Sequence, residues 1–223
     1  MGNREEAIEH YRLALQLKPN DAVAHVNLAD LFTQARQGPE AVDELQAALA
    51  LRPNLSPVRD KLIVALMQLN RTPEAIDQFR IALKLNPNDV NARNNLGMLL
   101  AKSGQMEEAE HQLEEGIRLQ PDRADIQNNL GIVVRSTDRP QDAIEHFQAA
   151  VRLQPDFADA HFNLAKVFAT LNRPREAKAA AGRAIDAANS SGQQAVAERI
   201  EEWLRHYEKE LERSSDAKSE LPP

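Results

Sequence analysis

Apolar residues recur along this chain at three- and four-residue spacing, the period of an amphipathic helix, in segments such as "NDAVAHVNLADLF" and "PDFADAHFNLAKVF". Two series of punctuating residues divide that pattern into units. Pro19, Pro53, Pro87, Pro121 and Pro155 follow one another at intervals of 34 residues. Ala41, Ala75, Ala109, Ala143 and Ala177 keep the same interval of 34, and Ala7 belongs to their series. Self-similarity at such a period marks a repeat architecture in which each unit is one small helical motif.

Each unit reads as two helices. The leading helix begins just after the proline, where an Asn or Asp can accept hydrogen bonds from the free N–H groups of the first turn. It ends at a short polar turn such as "LNR" or "KSGQ". The trailing helix opens with proline at or near its first position (Pro39, Pro73, Pro140, Pro174), where a missing N–H costs nothing. It stops at the next proline, which cannot continue it. Ala29, Gly97, Gly131 and Ala165 are small enough to let the two helices approach, and Leu28, Leu62, Leu96, Leu130 and Leu164 supply a recurring apolar knob. The unit around Lys61 diverges most, with Ile63 in the small position and Ser56-Pro57 at the helix start.

These residues resemble the tetratricopeptide repeat family. The match carries its Leu-Gly/Ala pair, the large apolar residue three positions later, the Ala that opens the second helix and the closing proline. His25, Arg59, Arg93, Gln127 and His161 stand where the family often has Trp. The resemblance implies an all-α, right-handed solenoid whose leading helices line a concave groove. The expected organisation is a half repeat at 4–21, full repeats at 22–55, 56–89, 90–123, 124–157 and 158–191, a capping helix at 192–213 and a disordered tail at 214–223. In the cap, Val196, Ile200, Trp203, Leu204, Tyr207 and Leu211 share one helical face, which suits the end of a stacked array. "AKAAAGRAIDAA" before it offers a flat surface for close approach. Because the chain enters its first repeat at the turn between helices, it is expected to be a fragment. Ile8, Tyr11 and Leu15 would then form an open face for self-association.

Composition narrows the function. The 223 residues are 42% hydrophobic but only 4% aromatic, a helix-former composition. A formal charge of −7 argues against a nucleic-acid or anionic-membrane surface. Cysteine is absent, which removes thiolate chemistry and disulfides. No apolar run is long enough to span a bilayer, so direct membrane insertion is not expected. His10, His25, His111, His146, His161 and His206 show no metal-ligand spacing, and no phosphate loop, dinucleotide fingerprint or nucleophile elbow is present. The reading is of a non-enzyme without a cofactor.

The candidate chemistry is an amide series. Asn27, Asn95, Asn129 and Asn163 occupy one phase, broken by Lys61. The arrangement looks like the asparagine ladder of the superhelix attached to O-GlcNAc transferases, whose amides grip a peptide backbone. One Asn offers a donor and an acceptor, and so complements a peptide unit whatever its side chain. Leading helices about 10 Å apart would meet an extended peptide at about every third residue. Further groove candidates are Val23, Val26, Asp30, Asp60, Val64, Asn91, Asn94, Met98, Asn128, Ile132, Arg135, Phe162 and Lys166. Asn is also frequent at this phase in the family generally, where it serves helix solvation, and both readings stand. The Lys and Asn pairs of chaperone-tail carboxylate clamps are missing, since Val26 and Asp30, Asp60 and Val64, and Asn94 and Met98 stand in their places.

The expected function is a non-catalytic, cytoplasmic interaction scaffold that holds an extended peptide or partner segment in the groove. A second expectation is the tail of a larger glycosyltransferase-type protein. It rests on a resemblance of "AIDAANSSGQQAVAERIEEWLRHYEK" to C-terminal closures of bacterial membrane glycosyltransferases, and would place the domain outside the cytoplasm.

Overall fold

Proline and turn residues cut the chain where the pattern places them. The computed structural model describes the backbone of residues 2–219 and the side chains of residues 4–213, and within them there are twelve α-helices and no strand. Helix α1 (Gly2–Leu17) comes first. Leading helices α2 (Ala22–Gln34), α4 (Ser56–Gln68), α6 (Val90–Lys102), α8 (Ala124–Ser136) and α10 (Ala158–Thr170) alternate with trailing ones. The trailing helices are α3 (Gly38–Leu51), α5 (Thr72–Leu85), α7 (Met106–Leu119), α9 (Pro140–Leu153) and α11 (Pro174–Ser190), and α12 (Gln194–Ser219) follows. They fall into two compact units, one ending at Gly104 and the other beginning at Gln105. Inside each unit, every helix packs on its neighbours in the chain. Of the expected tail, the backbone of 214–219 continues α12, while its side chains and residues 220–223 lie outside the described residues.

Two local devices repeat. Trailing helices end at Arg52 (φ −138°, ψ 85°), Asn86 (φ −134°, ψ 87°), Gln120 (φ −138°, ψ 89°) and Gln154 (φ −135°, ψ 93°). Each precedes a proline, whose ring excludes the helical backbone from the residue before it. Leading helices end instead in a left-handed residue: Arg36 (φ 59°), Asn70 (φ 57°), Gly104 (φ 80°), Asp138 (φ 59°) and Asn172 (φ 54°). The next N–H then reaches back to the last turn, Gln37 to the Phe32 carbonyl, Arg71 to Leu66 and Arg173 to Phe168, each at 2.9 Å. The expected acidic caps occur at two leading helices. Asp21 accepts from the Val23 and Ala24 N–H groups at 3.0 and 3.1 Å, and Asp89 from Ala92 at 2.9 Å. Helices α4, α8 and α10 start at Leu55, Arg123 and Phe157 with no side-chain cap.

The small position works by direct contact. A Cβ placed on Gly131 of α8 would lie 2.6 Å from Cε1 of Phe147 on α9, a ring with no exposed surface. Three repeats earlier the same pair of positions holds Ala29 with Leu45, and one repeat later Ala165 with Ala181, all buried. In the divergent repeat, Ile63 and Phe79 occupy both places, and α4 and α5 approach less closely than α8 and α9 do.

The ends of the chain differ from expectation at one point. Ile8 is buried in a cluster with Leu28, Phe32 and Ala41, and Tyr11 and Leu15 pack against it. The face expected to await a second copy is therefore covered by α2. Leu13 and Leu17, on the same helix, are the exposed apolar residues. At the other end α12 lies on α11, where Ala187 and Ala188 meet Ala197 and Val196, and Ile200 is fully buried. The alanine-rich surface takes a close neighbour because no side chain holds the two backbones apart.

Candidate functional site

In the first unit, Asn27 on α2 is half-buried and Asn95 on α6 is exposed, and neither side chain has a hydrogen-bond partner among the described residues. Lys61, between them in the series, is not a free solvated residue. Its ammonium bonds both carboxylate oxygens of Asp30, at 2.6 and 2.7 Å, tying α4 to α2. Beside that pair is a cavity of about 360 Å³. Leu45, Val64 and Ala65 give it apolar walls, and Asp30, Thr33, Asp60, Lys61 and Gln68 rim it. Val23 and Val64 present 55% and 54% of their surface to solvent, unusual for valine in a packed helix. Val26 and Met98 are half-buried, whereas Asn91 and Asn94 already have interactions of their own.

The second unit departs from the expected row. Asn163 of α10 donates from its amide nitrogen to Oδ1 of Asn128 on α8 at 2.9 Å, and both residues are buried. A buried amide must find a partner, and the neighbouring leading helix supplies it. Asn128 and Asn163 therefore join helices instead of facing a ligand. Phe162 is also buried, beneath Trp203 of α12, with ring centroids 5.4 Å apart and planes at 81°. The three leave the list of groove residues. Asn129 is half-buried and has an interaction of its own, and Ile132, Arg135 and Lys166 keep partial exposure.

One repeated role went unread in the sequence. The residues in the place of the family's Trp bond the carbonyl of the closing proline six positions earlier. His25 Nε2 lies 3.1 Å from the Pro19 oxygen, and His161 Nε2 lies 2.9 Å from that of Pro155. The Arg59 guanidinium donates twice to Pro53, at 3.0 and 2.9 Å, and Arg93 donates to Pro87 at 3.1 and 2.8 Å. Each satisfies a carbonyl left without a partner at a helix end. The signal was available: donor-bearing side chains at a spacing of 34. Gln127 is the exception, its Oε1 lying 3.0 Å from His146 Nδ1. Burial holds the Arg59 and His146 pKa values below their ordinary values, with nearby carboxylates opposing the shift at both.

Among the described residues, no group of three or more His, Asp or Glu is placed to hold a metal, and no helix is long and apolar enough to cross a membrane. A larger open hollow of about 660 Å³ lies against Pro155, His161, Arg183 and Asp186, with no leading-helix amide from the series on its walls.

Comparison with known proteins agrees with this geometry. Models of the tetratricopeptide repeat match residues 1–63, 90–156 and 122–190, and a further TPR repeat model matches 65–104. No curated protein matches the chain. Among solved structures, MamA from Desulfovibrio magneticus RS-1 is similar at 23% identity and a TM-score of 0.67, over 76% of this chain and 96% of its own. YrrB, described as a TPR protein with an unusual peptide-binding site, is similar at 20% identity and a TM-score of 0.64, covering 87% of this chain and 99% of its own. The C-terminal part of a TPR repeat-containing protein from Cytophaga hutchinsonii has 16% identity and a TM-score of 0.71, over 93% of this chain and 83% of its own. At these identities the likeness is one of fold.

Proposed function

Because the chain belongs to the tetratricopeptide repeat family, we propose that it is a non-catalytic interaction scaffold holding an extended partner segment along its leading helices. The cavity between α2 and α4 carries this reading. It joins an apolar wall to a charged rim, the composition of a site that takes one side chain and orients its backbone. Asn27 and Asn95 add amides with spare hydrogen-bonding capacity on the same unit. YrrB, whose fold is shared, has a peptide-binding site by its description.

Magnitudes limit what such contacts achieve. A net hydrogen bond contributes about 0.5–1.5 kcal/mol, and burying an aliphatic side chain about 1.5–3 kcal/mol. Two amides and one filled pocket fall short of the roughly 8 kcal/mol that micromolar affinity requires. A peptide that spans several repeats is therefore the fitting ligand, and a dipeptide is not.

A peptide array probed with the intact protein, with Val64→Asp and with Asn95→Ala tests the reading. Val64 and Asn95 are exposed, so both variants should keep the helical circular dichroism of the parent. A set of peptides bound by the parent should be lost by Val64→Asp and weakened by Asn95→Ala. Identical binding patterns from all three proteins would remove the leading-helix face from the mechanism.

A further inference from the structure

The cavity between α2 and α4 lacks hydrogen-bond donors in a specific way. Asp30, Asp60 and Lys61 are the charged residues that line it. The Lys61 ammonium donates to both carboxylate oxygens of Asp30, at 2.6 and 2.7 Å, so that pair is neutral. Asp60 is exposed and has neither a hydrogen bond nor an ion pair among the described residues. Arg59, next to it in the chain, acts on it through space but spends its guanidinium on the Pro53 carbonyl. Two carboxylates and one ammonium therefore leave one negative charge at the rim. The Thr33 hydroxyl leans the same way. It donates its proton to the Ala29 carbonyl at 2.9 Å, and so turns only lone pairs toward any further partner.

Carboxylates without an ion pair are ordinary on helix surfaces, as at Glu5 and Glu9 of α1, and alone they mark nothing. Asp60 differs because it shares its cavity with an apolar wall. Leu45 and Ala65 are buried, Val64 is exposed, and all three line the same 360 Å³. That volume corresponds to about twelve waters at roughly 30 Å³ each, room for one long side chain. The combination belongs to these residues and not to the repeat. Three repeats later the phases of Leu45, Asp60 and Lys61 hold Phe147, Phe162 and Asn163, all buried. An occupant of the first-unit cavity must bring an apolar stem, hydrogen-bond donors and a positive charge.

We propose that this cavity receives an arginine side chain of the partner segment, its stem along Leu45, Val64 and Ala65 and its guanidinium on the Asp60 carboxylate. This rests on the scaffold reading and names the residue type that the first unit selects. A guanidinium carries five donors and no acceptor, which matches a rim of lone pairs. Its planar fork engages both oxygens of one carboxylate. It is also more weakly hydrated than an ammonium, so it loses less on entering a partly apolar space, and lysine comes second. A buried stem with its charged head at the rim is the usual disposition of such a side chain. The formal charge of −7 favours encounter with a cationic segment.

Methyl NMR of the intact protein, titrated with N-acetyl-argininamide, reads the cavity directly. The comparison ligands are N-acetyl-lysinamide, which keeps the charge, and N-acetyl-norleucinamide, which keeps a stem without it. Argininamide should shift the methyl signals of Leu45, Val64 and Ala65 in one saturable titration in the millimolar range, the scale of a single filled pocket. Both comparison ligands should bind several-fold more weakly. Asp60→Asn, at an exposed position, should keep the circular dichroism of the parent and weaken argininamide about tenfold, the scale of one charge-assisted hydrogen bond. Glu9→Gln, which removes a carboxylate from exposed surface of α1, should change nothing. No shift at those methyls overturns the proposal. So does either comparison ligand matching argininamide, which would show a pocket that does not read the guanidinium. Equal weakening by Asp60→Asn and Glu9→Gln also overturns it, as a general attraction of cations to an acidic chain. On the peptide array, peptides weakened by Asn95→Ala but bound equally when each arginine is replaced by norleucine would leave the scaffold reading standing and this one refuted.

Discussion

Replacing Gly131 with Ala isolates the packing rule on which the paired helices depend. The added methyl carbon would stand 2.6, 2.8 and 3.0 Å from three carbons of the Phe147 ring, against the 3.5–4.0 Å that carbon atoms prefer (roughly 1 Å of overlap). The ring has no exposed surface and so no room to swing outward. Overpacking of a close-packed core costs about 1–3 kcal/mol, while Ala in place of Gly within a helix returns about 1 kcal/mol. The net expectation is a loss of about 1 kcal/mol. Gly182 of α11 provides the opposite control. A Cβ there meets nothing within 4 Å, so Gly182→Ala should gain close to the full 1 kcal/mol of helix propensity. Urea unfolding, with hydrogen exchange on α8 and α9 to detect loss of two-state behaviour in a stacked protein, measures both. Combining Gly131→Ala with Phe147→Leu recreates the Ala29 and Leu45 combination found at this phase in the first unit, and the two changes should be strongly non-additive. Equal gains from both glycine substitutions, or strict additivity of the double variant, would show that the two helices are not held by this contact.

Other perturbations separate amides bonded between helices from amides with spare bonding capacity. Asn163→Ala leaves the Asn128 oxygen buried without its donor and should cost about 1–3 kcal/mol in urea unfolding, whereas Asn95→Ala should stay within about 0.5 kcal/mol. Equal small effects would show that the Asn163–Asn128 bond does not hold the two helices together. His146 titrates below its ordinary value of 6.5 in the folded chain, chiefly through burial, so the unfolded chain takes up the proton first as pH falls. Its contribution is complete above about pH 6.5 and declines on acidification through the lower folded value, so stability should drop from pH 7 toward pH 5. His146→Gln should flatten that part of the profile. An unchanged slope would mean that other groups produce it.

Most of the architecture was legible because its signals are local. Proline forbids the helical backbone just before it, a helix needs a turn residue at its end, and both act over a few residues whatever surrounds them. Phased repetition then multiplied each weak signal. The left-handed conformation of Arg36 and Asp138 was less visible, since these residue types do not announce it as Gly104 does. The proline-carbonyl bonds of His25, Arg59, Arg93 and His161 were hidden for a related reason: unlike side chains perform one role, and similarity of type was the wrong thing to look for.

The surroundings of the amide series belong to another level. One phase along the chain sets the side of the helix from which Asn27, Asn95, Asn129 and Asn163 project, and it does so through helical geometry alone. Whether such an amide meets solvent or another helix depends on where the neighbouring backbone lies and which side chain it presents. Asn163 meets Asn128, while Asn27 and Asn95 keep spare bonding capacity. Ile8 and Tyr11 read as an open face until α2 is seen to cover them. Periodicity determines the elements and their sides. Proximity between elements, which sets burial and the field at each charge, is decided by the tertiary structure.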